Sequence, residues 1–411
     1  MNILLSAYAC EPLKGSEPAV GWNYGVELAK LGHQVTVLTR TNNQTSIEKY
    51  MEEYKINIKG LSFYFYDCPY LLRWIKQKSK LILPYYFCWQ IGAFFCALKL
   101  HEKRSFHLVH HITFASVRHF SWMWLIGIPF VLGPIGGGET SPFRMRLKNG
   151  LLFLITECIR DLNLLILKFD PTFYLPLAKA KYILVSTPET LKLIPRKFQD
   201  KAKCYSQIGL TNNTSKDTRN NKYIANRRER ILFVGRLVPY KGIVLALDCF
   251  KCSLNRNPSL TMTLVGSGRQ ENKLKRYAIK IGVHSNLSWV KWQKSESMPD
   301  IYKSHGILLF PSLHDSAGFV VLKALKFGLP VVCLKQGGPG TIINRNIGAS
   351  IDVHGRSYKN IIDELSKSII TLSSNKIVWS EYSARCIEEA EAWTWEKRIS
   401  TIENDRKYRQ E

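Results

Sequence analysis

The chain is short of acidic residues. Against 58 lysines and arginines it carries 32 aspartates and glutamates, a formal net charge of +26. Such a field attracts phosphate-bearing partners. The basic residues are spread along the chain rather than gathered with stacking aromatics, so nucleic acid is not expected as a partner. A disulfide framework is lacking too. Ten cysteines in 411 residues give a single C-x-x-C, Cys249 and Cys252. No histidine lies at ligand spacing, so packing is expected of the pair, not zinc or redox chemistry. Residues 1–7 lack both a basic leader and an apolar h-region, and with the cysteine usage this predicts a cytoplasmic protein. Residues 81–98 are uncharged over 18 residues, at the lower bound of a membrane span. The run contains Pro84, Gln90 and Gly92. Over the wider segment 70–103, Trp74, Tyr85, Tyr86, Phe87 and Trp89 mix with Arg73, Lys76, Lys78 and Lys80. That mixture predicts a buried helix or one lying on an anionic membrane surface. The dinucleotide fingerprint G-x-G-x-x-G is absent from the first strand-to-helix loop as well.

What is present alternates between strand and helix signals. Residues 2–7 form an apolar strand, then a loop ending Gly15-Ser16-Glu17-Pro18, a helix over 20–31 closed by Gly32, and a strand at 34–39. Further strands are predicted at 56–66, 106–111, 129–132 and 182–186, with an amphipathic helix over 151–169. A polar stretch follows, and the linker is placed at 206–230. Strands recur at 231–234, 261–265, 287–292, 307–310 and 331–334, with a helix at 319–327 stopped by Gly328 and Pro330. A flexible glycine loop is expected at 337–340, and one helix over 376–406. The pattern predicts an α/β protein of two Rossmann-like parallel-sheet domains, 1–205 and 231–390, facing a central cleft, with a last helical segment at 391–411.

Two stretches carry the chemistry. Residues 310–334 read FPSLHDSAGFVVLKALKFGLPVVCL. Strand, small-residue turn, helix and strand make a βαβ unit whose helix start offers free N–H groups to an anion. Residues 231–242 read ILFVGRLVPYKG. There Arg236 can grip a phosphate with two parallel bonds and Lys241 can add a point charge. Two strand ends add candidates. His110 and His111 close one strand, and Gly136-Gly137-Gly138-Glu139 follow another, where glycine lets backbone approach a ligand closely.

Together G-R-L-x-x-x-K-G, H-D-S-A-G-F and G-P-I-G-G-G-E, in chain order, resemble the family-4 retaining glycosyltransferases of the GT-B fold. The resemblance spans nearly the whole chain. It implies that Arg236 and Lys241 hold a nucleoside diphosphate, with Ser316, Ala317, Gly318 and Phe319 adding backbone donors. It implies that Asp315 and a histidine, His110 or His111, orient the sugar. Gly15 and Gly136–Glu139 would border the cleft, and Gly266 would edge the nucleotide. The implied donor is a UDP or GDP sugar, and the implied acceptor a glycan or lipid-linked glycan. No metal or other cofactor is implied, which agrees with the absence of a D-x-D motif. Localisation would be cytoplasmic, peripheral on the inner face of the membrane. The family pattern has a second acidic residue eight positions after the first, on the ribose. Here that place is Lys323, which can only donate. Loss of one charge-assisted bond costs ~1.5–3 kcal/mol. The alternative reading is therefore a catalytically degenerate GT-B protein that serves as a binding subunit of an active enzyme.

Overall fold

The computed structural model describes residues 1–79, 82–119, 121–211 and 227–408. The chain divides into two compact units. One comprises Met1–Gly138, Leu165–Gln207 and Trp395–Glu411, the other Glu139–Leu164 and Ile208–Thr394.

The first unit is built on a seven-stranded sheet. Its strands are β1 (Asn2–Ser6), β2 (Gln34–Thr39), β3 (Leu61–Phe65), β4 (Leu108–His111), β5 (Phe130–Ile135), β6 (Tyr182–Val185) and β7 (Ala202–Cys204), in the order β3-β2-β1-β4-β5-β6-β7. Every pairing is parallel. Ile3, Leu4 and Leu5 are fully buried, as a central parallel strand covered on both faces requires. The helix Glu17–Lys30 begins a turn earlier than predicted, because Pro18 suits the first turn of a helix. The uncharged run forms the helix Ile82–Arg104, whose face of Tyr85, Tyr86, Trp89, Ala93, Ala97 and Leu100 is buried. It is thus a core helix along one face. Among the described residues no helix is long and apolar enough to cross a membrane. The helix Trp395–Tyr408 also belongs to this unit, where Trp395 meets Tyr24 edge-on at 6.3 Å.

The second unit holds a six-stranded parallel sheet. Its strands are β8 (Arg230–Val234), β9 (Thr261–Val265), β10 (Leu287–Val290), β11 (Ile307–Phe310), β12 (Val331–Leu334) and β13 (Gly348–Ile351), in the order β10-β9-β8-β11-β12-β13. Successive side chains go to opposite faces. Ile231, Phe233, Ile307 and Leu309 pack in one core, while Leu232, Val234, Leu308 and Phe310 pack in another. Cys249 is buried in the first of these cores and its thiol is free, in keeping with a packing role.

Three boundaries differ from the sequence reading. The stretch expected to be one domain, 1–205, is interrupted, since Glu139–Leu164 groups with the second unit. Polar contacts to residues far along the chain hold it there. The expected helix over 376–406 is two helices, Lys376–Ala392 and Trp395–Tyr408, broken where the Trp393 carbonyl accepts the Leu210 N–H at 2.7 Å. The expected flexible loop at 337–340 is the helix Gly337–Ile342. There the Gly338 N–H is fixed on the Asp315 carbonyl at 2.7 Å. Most of the expected linker, residues 212–226, lies outside the described residues.

Candidate active site

In an open parallel sheet, ligands bind beyond the carboxyl ends of the strands where the strand order reverses. In the second unit the order reverses between β8 and β11. The loop after β8 carries Arg236 and Lys241, and the loop after β11 carries Asp315. Lys241 Nζ donates to Asp315 Oδ2 at 2.6 Å, and the two side chains are only 14% and 15% exposed. Asp315 Oδ1 accepts from the N–H groups of Ala317 at 3.1 Å and Gly318 at 2.8 Å. The aspartate carboxylate therefore fills the anion position formed by a lysine and a helix start. Burial alone would raise its pKa, but Lys241 and the two N–H bonds outweigh it and hold the carboxyl below its ordinary value.

Arg236 is exposed, donates to the Tyr240 hydroxyl, and has its guanidinium 5.7 Å from the centroid of that ring. Lys241 Nζ also lies over the Phe310 ring at 5.2 Å. Ser316 Oγ donates to Glu139 Oε2 at 2.9 Å, so Glu139, expected at a cleft loop, supports the loop of Asp315. Gly318 caps the helix Phe319–Lys326 at φ 80°, and a side chain there would meet Ile342 Cδ1 at 2.8 Å. At the end of β9, Gly266 packs so tightly on Gly235 that a Cβ would sit 1.9 Å from the Gly235 carbonyl oxygen. Backbone contact excludes any larger residue at 266, and the left-handed backbone at 318 favours glycine.

Lys323 lies one turn into the helix Phe319–Lys326 and is half-buried. Burial pushes its pKa down, and Lys326 is pushed down by burial and then by the charge of Lys323. Among the described residues Lys323 has no hydrogen-bond or ion-pair partner.

In the first unit the order reverses between β1 and β4. The loops after these strands are tied together, since the Phe114 N–H donates to Glu17 Oε2 at 3.0 Å. Burial pushes the Glu17 carboxyl up to about 7. Gly15 is exposed with nothing within 4 Å of a would-be Cβ, so no protein contact demands glycine there. His110 and His111 are both buried, and as neighbours on a strand they face opposite sides of the sheet. His110 Nε2 is 2.7 Å from the Gly133 carbonyl. His111 Nδ1 meets Ser6 Oγ, and its Nε2 meets the Tyr86 hydroxyl, both at 3.1 Å. Burial pushes the His111 pKa down to about 3, so its ring is neutral. Gly136 bridges to Ser116, Gly137 sits at φ 103°, and the Gly138 N–H donates to Thr190 Oγ1 at 3.2 Å.

One cluster was not foreseen. Glu157, 5% exposed, accepts from Ser141 Oγ and lies 2.5 Å from His314 Nε2. His314 Nδ1 lies 3.1 Å from the Glu139 carbonyl oxygen. The cluster fixes the residue next to Asp315. Its one sequence signal is a polar face, Glu157, Arg160 and Asp161, on an otherwise apolar helix. Burial works to raise the Glu157 pKa, but its bonds to His314 and Ser141 bring it below the ordinary value.

Both Asp315 and Glu157 are thus depressed in the folded state. Their contribution is present above the unfolded carboxylate range and is lost as pH falls through the folded values. Thermal stability is expected to fall most steeply below about pH 4, and less steeply in Asp315→Asn/Glu157→Gln. Parallel acid profiles for the two proteins would contradict this.

Residues 214–393 match the family Glycosyl transferases group 1. An uncharacterized glycosyltransferase of Methanocaldococcus jannaschii is 28% identical over 124 residues, 30% of this chain and 32% of that protein. Another, of Haemophilus influenzae, is 25% identical over 226 residues, 53% of this chain and 61% of that protein. The chain thus spans less than two thirds of either relative. The sucrose-phosphate synthase of Thermosynechococcus elongatus superposes with a TM-score of 0.64 at 16% identity, covering 100% of this chain and 98% of that one. HepE of Anabaena, in complex with UDP, gives 0.62 at 13% identity, covering 99% of both. The fold is GT-B, with two parallel-sheet Rossmann-like domains.

Proposed function

From a glycosyl transferases group 1 domain within a chain of GT-B fold, we propose a retaining family-4 glycosyltransferase. It moves a hexose-type sugar from a UDP or GDP donor to a glycan or lipid-linked acceptor. The observation that carries this reading is the Lys241–Asp315 pair at the β8/β11 reversal, with exposed Arg236 beside it. A diphosphate leaving group needs two cations and backbone donors to take up its developing charge. Arg236, Lys241 and the N–H groups of Ala317, Gly318 and Phe319 supply them once Asp315 releases its hold and turns to the sugar. The bond from the anomeric carbon to the diphosphate breaks, and a bond to the acceptor oxygen forms on the same face. The acceptor proton passes to the departing phosphate oxygen. Neither a metal nor another cofactor enters this scheme.

His110 and His111 take a positioning role. Both rings are already bonded, and a neutral His111 holds the end of β4 rather than delivering a proton. Gly15 stays in the proposal as a donor-binding backbone position, Gly136–Glu139 as the cleft loop, and Gly266 as the nucleotide edge. Work at an anionic membrane, on the cytoplasmic side, belongs to the same reading and is supported by the net charge of +26. HepE, of the same fold, was solved with UDP bound, which supports a uridine donor first.

Incubation with UDP and GDP hexoses, with the product anomer followed by NMR, tests the reaction. Retained configuration is expected, and an inverted product would sink the mechanism. Lys323→Glu restores a carboxylate that accepts ribose hydroxyls, so it is expected to tighten donor binding roughly tenfold or more. Weaker binding by Lys323→Glu would instead show that the lysine itself holds the donor.

A further inference from the structure

The helix Leu151–Ile166 turns an apolar stripe outward. At roughly 100° per residue, Leu151, Leu152, Ile155, Ile159 and Leu162 fall within one narrow arc, and they are 47% to 77% exposed. The opposite side buries Phe153 and Leu164 together with polar groups. Glu157 is engaged with Ser141 and His314, Arg160 Nη2 donates to the Glu139 carbonyl at 2.8 Å, and Asp161 pairs with Arg146 at 2.6 Å. A surface helix normally turns its apolar stripe to the core and its charges to water. Here a second apolar stripe faces outward, and no acidic residue lies on it. The preceding helix, Phe143–Asn149, extends the patch with exposed Phe143 and Leu147 and places exposed Arg144 and Lys148 beside it.

We propose that this face docks the protein on an anionic phospholipid bilayer. Monomeric proteins rarely leave a contiguous apolar face of this kind uncovered. Charge selects the occupant. A second copy would bring a net charge of +26 against +26, and the patch offers no acid to pair with its basic neighbours. An anionic bilayer satisfies both features. The aliphatic arc enters the headgroup and acyl boundary, while Arg144 and Lys148 meet lipid phosphates. The inference rests on the reading of a membrane as partner, and it locates that contact on a helix other than the aromatic one at residues 82–104.

Co-sedimentation with phosphatidylcholine vesicles, with and without phosphatidylglycerol, tests it. The protein is expected to sediment with the anionic vesicles. Leu152→Glu/Ile159→Glu is expected to weaken that binding at least about tenfold, and Arg144→Glu/Lys148→Glu to erase the preference for phosphatidylglycerol. Leu152→Ser/Ile159→Ser, a milder change at the same exposed sites, serves if the charged pair fails to fold. Wild-type protein left in the supernatant, or variants that sediment like wild type, would overturn the proposal. So would a wild-type dimer by light scattering that Leu152→Glu/Ile159→Glu dissolves. UDP binding measured on the same variants should be unchanged, so vesicle binding and donor binding stand or fall separately.

Discussion

Lys241→Ala is expected to cut donor turnover about a thousandfold and to lower stability by about 3 kcal/mol. Two effects share one atom. In the resting protein Lys241 Nζ neutralises a mostly buried Asp315 at 2.6 Å. Removing it leaves a buried carboxylate with only two N–H donors, and breaking one side of a buried pair is costly. In the reaction the same ammonium meets the departing diphosphate. A double variant separates the two roles. Lys241→Ala/Asp315→Ala removes both charges, so it is expected to regain much of the lost stability and none of the turnover. Thermal unfolding and donor hydrolysis on the three variants give the comparison. A Lys241→Ala protein that turns over donor normally would remove the lysine from the mechanism.

Glu157→Ala is expected to be nearly as damaging, although the residue touches no substrate in this account. It takes the acceptor away from Ser141 Oγ and His314 Nε2. Two buried donors lose their partner, which costs roughly 2–5 kcal/mol together. His314 precedes Asp315, so the loop that carries the aspartate loosens as well. Donor affinity is expected to fall together with the melting temperature. Glu157→Gln keeps the shape and one acceptor oxygen, and is expected to recover part of both. Unchanged melting of Glu157→Ala would show that the cluster is held by its other contacts.

Much of the fold was legible because buried parallel strands are continuous apolar runs between glycine and proline. Val331–Leu334 and Thr261–Val265 were placed to the residue on that basis. Arg236 and Lys241 were legible as charges in the loop after an apolar strand, and Asp315 through the resemblance carried by H-D-S-A-G-F. The pairing of Lys241 with Asp315 was not, since 74 residues separate them. The Glu157–His314 contact spans 157 residues and hid for the same reason. Glycine misled at 337–340. Its freedom suggested a mobile loop, but the lack of a side chain there allows close packing, with a Gly338 Cβ 2.6 Å from Ala317 backbone. The surroundings of the histidine pair were not legible either. A strand end suggested access, but both rings are buried, His110 edge-on to Tyr24 of one helix and His111 bonded to Tyr86 of another.

The most direct test of the account is calorimetric titration of the folded wild-type protein with UDP and with GDP, beside Arg236→Ala. The exposed guanidinium carries little of the fold, so the variant should melt as wild type does. The account predicts that wild type binds one of the two nucleotides and that Arg236→Ala loses at least about tenfold in affinity. A folded wild type that binds neither nucleotide, or a variant that binds as well as wild type, would contradict a diphosphate site at the β8/β11 reversal.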